Sequence, residues 1–473
     1  MRLSELAQAG RQPPLPTSLE LAEESLLMER WLRILPGQRY VGCAQWKEQR
    51  VLAKLLVGPK AAKQFQREYQ GAQWLMEQQL VTPKLLTQAL TPEGGWLLFE
   101  YLDSAVSLES TWQAVAHQWP LTTEQRAILS QALHVIARLH RVGLWQSDLH
   151  LDNLLQHRQQ LYLIDGGGVQ AEHLGQALSV AKITENLGIF FAQLSPELEP
   201  HLETLVALYR QTNPVDLSIP ALGQAIAKTR RWRLANYLKK AGRDCTLFQV
   251  QRGAMGLQAV WREALPALEP LVHNPDAYIN QGHLYKTGGA ATVVRIQYQG
   301  QPLVIKRYNI KNTLHWLKRF WRPSRAWHSW LAAHRLILLG IATPKPLAVM
   351  ERRWCGLRGP AWLITEYLSG PDAISCFAPY LDTPPPTHWV LALQRLFTAL
   401  IRERISHGDL KGHNLLWDES LGQWSLIDLD AMQQHSSAHT FTKAYRQDRA
   451  RFLRNWPQDT KLYQHLNQSL PNL

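Results

Sequence analysis

His407-Gly408-Asp409-Leu410-Lys411-Gly412-His413-Asn414-Leu415, followed a short way on by Leu426-Ile427-Asp428-Leu429-Asp430, decides the reading of this chain. An earlier stretch has the same form. It runs Gln146-Ser147-Asp148-Leu149-His150-Leu151-Asp152-Asn153-Leu154 and then Leu163-Ile164-Asp165. Each copy offers a carboxylate, a carboxamide and a second carboxylate at matching spacing. These are hard oxygen donors of the kind that hold a divalent cation beside phosphate.

Working outward, each copy of this stretch is preceded by the same ordered segments. Val51-Leu52-Ala53-Lys54 matches Leu303-Val304-Ile305-Lys306, each a short apolar run that reads as a buried strand presenting a lysine. Thr82-Pro83-Lys84-Leu85 matches Thr343-Pro344-Lys345-Pro346. Leu97-Leu98-Phe99-Glu100-Tyr101-Leu102 matches Leu363-Ile364-Thr365-Glu366-Tyr367-Leu368. Matches in one order with slightly drifting separations indicate a duplicated domain with altered loops.

The segments resemble the protein-kinase-like fold over nearly the whole chain. That resemblance implies an α+β fold of two tandem domains, each a small β-rich lobe plus a larger helical lobe, over residues 1–248 and 249–473. The boundary is expected where the basic helix 228–243 ends and Pro266, Pro270, Asn274 and Pro275 interrupt the chain. The resemblance also implies ATP and Mg²⁺ as cofactors. In the first copy Lys54 would hold phosphates, Glu68 would orient Lys54, and the segment starting at Glu100 would meet adenine. Asp148 would take the acceptor's proton, and Asn153 and Asp165 would bind the metal. Gln146 stands where a His is usual, no convincing glycine-rich loop precedes Lys54, and Gly166-Gly167-Gly168 reads as a permissive stretch that could move.

The second copy departs differently. Lys286-Thr287-Gly288-Gly289-Ala290 reads as a phosphate-covering hairpin, with Lys306, Glu366, Asp409, Asn414 and Asp428 in the corresponding roles. No Asp or Glu occurs from Arg307 to Met350, and Ser329 falls near the place of the helix acid. Lys306 must pair with Asp428 or Asp430, or stand alone. Judged only by the groups retained, the first copy is the more complete.

Neither copy has the Asp-Phe-Gly and Ala-Pro-Glu segments of a peptide-phosphorylating enzyme, so a sugar, lipid or small-molecule hydroxyl fits better. The second copy is similar to the bacterial lipopolysaccharide kinase family. The similarity lies in the stretches quoted above and in Arg322-Pro323-Ser324-Arg325-Ala326, Ala333-His334-Arg335-Leu336 and Gly340-Ile341-Ala342-Thr343-Pro344. This resemblance implies phosphorylation of heptose in lipid A–core at the cytoplasmic face of the inner membrane of a Gram-negative bacterium. Two other readings stay open: a different small-molecule or lipid kinase, and a tandem pseudokinase–kinase regulatory protein.

Composition narrows the setting. The 473 residues carry a formal charge of +13, which calls for an anionic partner. Lys311, Lys318, Arg319 and Arg322 lie in a basic amphipathic segment with aromatics. Arg231, Lys239 and Arg243 lie in a second basic run. Both are candidates for contact with an anionic substrate or a membrane surface. A nucleic-acid partner is not expected, since no reading motif accompanies the charge. The four cysteines are isolated, which fits a reducing compartment and no zinc site. No apolar run is long enough to span a membrane and no secretory signal opens the chain, so a cytoplasmic, peripherally bound protein is expected.

Overall fold

Strand and helix alternate in an order that repeats once along the chain. The computed structural model describes residues 1–21, 24–309, 324–354 and 357–473, in two compact units, Met1–Arg231 and Trp232–Leu473.

The first unit opens with a six-stranded antiparallel sheet. Its spatial order is Thr17–Leu21, Glu24–Leu35, Arg39–Trp46, Gln49–Val57, Gly94–Glu100, Leu85–Thr91. The central strand Gln49–Val57 is apolar on both faces because both are covered. Val51, Ala53 and Leu55 join Leu19, Leu26 and Tyr40 in one core. The alternate residue Leu56 packs with Phe65, Leu97 and Phe99 beneath the helix Ala61–Glu77. The two-residue period of a strand therefore turns Lys54 toward that helix. A helical lobe follows, built on Thr123–Arg141, Val180–Phe191 and Leu202–Arg210. Its first helix begins with a reciprocal cap, Gln125 N–H donating to the Thr122 hydroxyl and Thr122 N–H to the Gln125 side chain, each at 3.2 Å.

The second unit has a seven-stranded antiparallel sheet. Its order is Phe248–Gly253, Gly256–Trp261, Pro346–Trp354, Leu357–Glu366, Gln301–Tyr308, Ala291–Tyr298, His283–Lys286. Ser324 caps the helix Arg325–Leu338, its hydroxyl accepting from Trp327 N–H at 3.0 Å. The helical lobe contains Thr387–Glu403, Ala438–Leu453 and Lys461–Ser469. Part of the high tryptophan content fills its core, where Phe377 stands 5.6–5.8 Å from the rings of Trp389, Trp424 and Trp456.

The division of the chain differs from the expected 248/249 boundary and falls inside the helix Ile219–Lys240. Ile226 is buried in the first unit's core and Leu234 in the second's. The basic helix ends at Lys240, not Arg243. The prolines beyond it do not mark a linker. Pro266, Pro270 and Pro275 lie in the short helices Leu265–His273 and Pro275–Ile279, after the hairpin Phe248–Trp261 that pairs with Pro346–Trp354. Pro266 and Pro275 stand in a first turn, where no N–H is needed, and Pro270 lies inside its short helix. Among the described residues, no helix is long and apolar enough to cross a membrane.

Candidate functional site

In the first unit, Lys54 reaches out from the sheet to Glu68 on the helix Ala61–Glu77. The ammonium lies 2.6 Å from Glu68 and 3.3 Å from Asp165. Burial alone would push the Lys54 pKa down, but the two carboxylates outweigh it and the net shift is upward. Burial would likewise raise Asp165, and Lys54 more than reverses this. Glu68 also receives Arg39 at 3.3 Å and Gly167 N–H at 3.2 Å.

The three glycines after Asp165 are packed tightly, which corrects the expectation of a movable stretch. They form a single helical turn against the helix Ala61–Glu77. A Cβ on Gly71 would stand 1.9 Å from Gly166 O, and one on Gly167 would stand 2.5 Å from the Glu68 carboxylate. Glycine is used here for close approach.

Gln146 occupies the position of His407, and both do the same local work. Gln146 Nε2 donates to Ile164 O at 2.9 Å, and His407 Nε2 lies 2.9 Å from Ile427 O. Asn153 Nδ2 donates to Asp148 O at 2.8 Å, and Asn414 Nδ2 to Asp409 O at 2.8 Å. Asp165 and Asp428 both adopt left-handed backbone, with φ of 68° and 59°. Asp tolerates this conformation better than bulkier residues do.

In the second unit the lysine's partners come from elsewhere in the chain. Lys306 Nζ lies 2.6 Å from Asp428 and 2.8 Å from Asp430. The same Asp430 oxygen accepts from Tyr308 Oη at 2.7 Å and Ser329 Oγ at 2.8 Å. Burial, with Asp430 beside it, holds the Tyr308 phenol protonated far above its ordinary pKa. Burial would raise Asp428 as well, but Lys306 brings it below the usual carboxylate range. Asp430 and Ser329 thus take the place of a helix glutamate.

The two leading aspartates sit very differently. The Asp148 side chain is 76% exposed, with His150 3.8 Å away. Asp409 is 39% exposed, with Lys411 at 3.0 Å and Arg451 at 3.5 Å. Arg451 also donates to Gly408 O, and Asp448, one turn earlier on the helix Ala438–Leu453, accepts the N–H groups of His407 at 2.6 Å and Gly408 at 3.0 Å. The sequence reading missed Asp448 and Arg451. Their signal was an acid inside an apolar stripe, since Phe441, Tyr445, Asp448 and Phe452 follow helical spacing and are all buried.

Most of each unit's expected residues line one cleft. Glu68 lies behind Lys54 in the first unit. Asp409 is not among the residues that line the second cleft, and it joins the site through Asn414, which donates to its backbone carbonyl. The first, of about 380 Å³, holds Lys54, Glu100, Asp148, Asn153 and Asp165, with Arg33 and Arg39 in addition. The second, of about 600 Å³, holds Lys306, Glu366, Asn414 and Asp428, with Asp430 and Asp372 in addition. Gly288 and Gly289 form the turn between two strands that contribute to its wall. Arg231, Lys239 and Arg243 are exposed. Lys311, Lys318, Arg319 and Arg322 lie outside the described residues.

The sequence pattern of the lipopolysaccharide kinase (Kdo/WaaP) family matches residues 49–167 and 290–462, one segment in each unit. The chain belongs to this family. Two relatives are the 3-deoxy-D-manno-octulosonic acid kinases of Xylella fastidiosa strains 9a5c and M12, 27% identical over 156 residues and 28% over 157. Each match covers 32% of this chain and 61% of the relative, so the chain spans less than two thirds of these curated relatives. A solved structure of WaaP in complex with acyl carrier protein is similar over 44% of this chain and 88% of its own, with 15% identity and a TM-score of 0.33.

Proposed function

We propose that the protein is an ATP- and Mg²⁺-dependent kinase of a lipopolysaccharide core sugar, and that the cleft of Trp232–Leu473 performs the transfer. The observation that carries this reading is the setting of Asp409. Its carboxylate is fixed by Lys411 and Arg451 on a loop pinned by Asp448, and Lys306, Asp428 and Asn414 belong to the same constellation. Asp409 accepts the proton of the acceptor hydroxyl as its oxygen forms a bond to the terminal phosphorus and the bond to ADP breaks. In this reading Lys411 offsets charge on the transferred group and Lys306 holds the inner phosphates. The donor set suits the metal. Asn414 commits its Nδ2 to Asp409 O and leaves its carbonyl oxygen for a cation, and Asp428 supplies a carboxylate. Magnesium commonly takes one or two such protein ligands and completes its shell with phosphate and water. When bound, it would neutralise charge on the phosphates.

The acceptor is a hydroxyl of the inner core. Heptose is the expectation from the sequence, and 3-deoxy-D-manno-octulosonic acid is the sugar named for the curated relatives. The exposed Arg231, Lys239 and Arg243 fit a phosphorylated lipid substrate presented at the inner membrane's cytoplasmic face. The test is label transfer from ATP to dephosphorylated lipid A–core and, in parallel, to lipid A carrying only 3-deoxy-D-manno-octulosonic acid. Labelling of the second acceptor assigns that sugar, and labelling of the first alone assigns heptose. Labelling of neither, with ATP still bound, would remove the lipopolysaccharide reading.

A further inference from the structure

The two clefts differ most at the hairpin over the lysine. In the second unit the turn between His283–Lys286 and Ala291–Tyr298 holds Gly288 and Gly289, at φ of 77° and 60°, with open space around both. Backbone amides of such a turn can approach phosphate closely.

In the first unit the tip is Pro36-Gly37-Gln38, between Glu24–Leu35 and Arg39–Trp46. Pro36 has no N–H. Gly37 N–H donates to Tyr40 Oη at 3.3 Å, and Gln38 N–H to Leu35 O at 3.0 Å. The backbone donors of this tip are already committed.

Cationic side chains stand there instead. A register shift between Trp31 and Arg33 interrupts the strand's alternation, and the adjacent residues Leu32 and Arg33 both line the cleft. Arg39 opens the next strand and reaches Glu68. Arg33, Arg39 and Lys54 therefore share one cavity with the apolar Val41, Leu52 and Phe99. The family match in this half begins at residue 49, so both arginines lie outside the matched segment.

We propose that the first unit's cleft binds a nucleoside triphosphate without needing a divalent metal, with Arg33 and Arg39 as a phosphate clamp, and does not transfer phosphate. Guanidinium forks pair with phosphate oxygens in two-point hydrogen bonds and carry the positive charge a metal would bring. An exposed Asp148 whose carboxylate meets neither a lysine nor an arginine among the described residues fits binding without transfer. The proposal rests on reading both clefts as nucleotide clefts, and it is tested by binding rather than by turnover.

The experiment is calorimetric titration of the full chain with ATP in Mg²⁺ and in EDTA. Two sites are expected with Mg²⁺ and one in EDTA. The EDTA-resistant site should weaken about tenfold or more in Arg33→Ala and in Arg39→Ala, and keep its affinity in Lys306→Ala. Arg33 is exposed, so Arg33→Ala remains informative should Arg39→Ala disturb Glu68. Loss of all binding in EDTA, or EDTA-resistant binding that survives Arg33→Ala and vanishes in Lys306→Ala, would overturn the proposal. Absence of transfer to any lipid acceptor, with the EDTA-resistant site intact, would count against the proposed reaction and leave the clamp standing.

Discussion

Lys306 stands on the strand Gln301–Tyr308, and the helix Arg325–Leu338 offers it no acid; a largely buried ammonium left alone would be strongly disfavoured. Asp430 removes that problem from two residues beyond Asp428, supported by Ser329 and Tyr308. Asp430→Ala should lower transfer by about 10²-fold, because the lysine then leans on Asp428 and loses its orientation. Adding Ser329→Glu should recover part of the loss, and steady-state kinetics of the single and double variants check it. Recovery would place Asp430 in the helix glutamate's role, and no change on Asp430→Ala would contradict it. The sequence permitted this pairing without choosing it, since two carboxylates lay within reach on paper. Gln146 was read as a defect. Its amide nevertheless reaches the same carbonyl as the histidine of the second copy, a substitution that spacing alone does not reveal.

At the scale of elements, the lysine-bearing strands were legible because a covered central strand must be apolar on both faces. The domain boundary was less so, because proline was taken as a linker signal where it starts or sits within short helices. The triple glycine misled for a similar reason. Glycine allows motion but also permits contact, and only the neighbouring Gly71 shows which applies. Gly71→Ala should therefore destabilise the first unit by about 1–3 kcal/mol through overpacking. A thermal melt unchanged from wild type would show that the helix has room to withdraw. In the second unit, Trp424→Ala should cost about 3–5 kcal/mol, since a fully enclosed ring leaves a cavity. Chemical denaturation reads this directly.

Across the whole molecule, each unit encloses a neutral histidine. His140 lies between Tyr209 and Asn186, at 2.9 and 3.0 Å, and burial lowers its pKa to about 4. Burial lowers that of His334 to about 3. A folded-state pKa below the ordinary 6.5 means the unfolded chain takes up more protons. The associated stability is complete above pH 6.5 and is lost as pH falls toward the folded values. At pH 5 each histidine should cost its unit about 2 kcal/mol. Melting at pH 7.5 and 5 should show the loss, and His140→Gln and His334→Gln should each flatten the profile. Equal acid sensitivity in wild type and variants would refute this cause.

The duplication was legible at this scale, but the proposed seat of transfer is not a matter of counting retained groups. By that count the first unit leads. Its Asp148 nevertheless stands exposed, while Asp409 is held between Lys411 and Arg451. The most direct test of that contrast is phosphate transfer from labelled ATP to dephosphorylated lipid A–core by wild type, Asp148→Asn and Asp409→Asn. The account predicts transfer reduced by about 10³-fold or more in Asp409→Asn and near wild type in Asp148→Asn. Transfer that survives in Asp409→Asn and disappears in Asp148→Asn would contradict it.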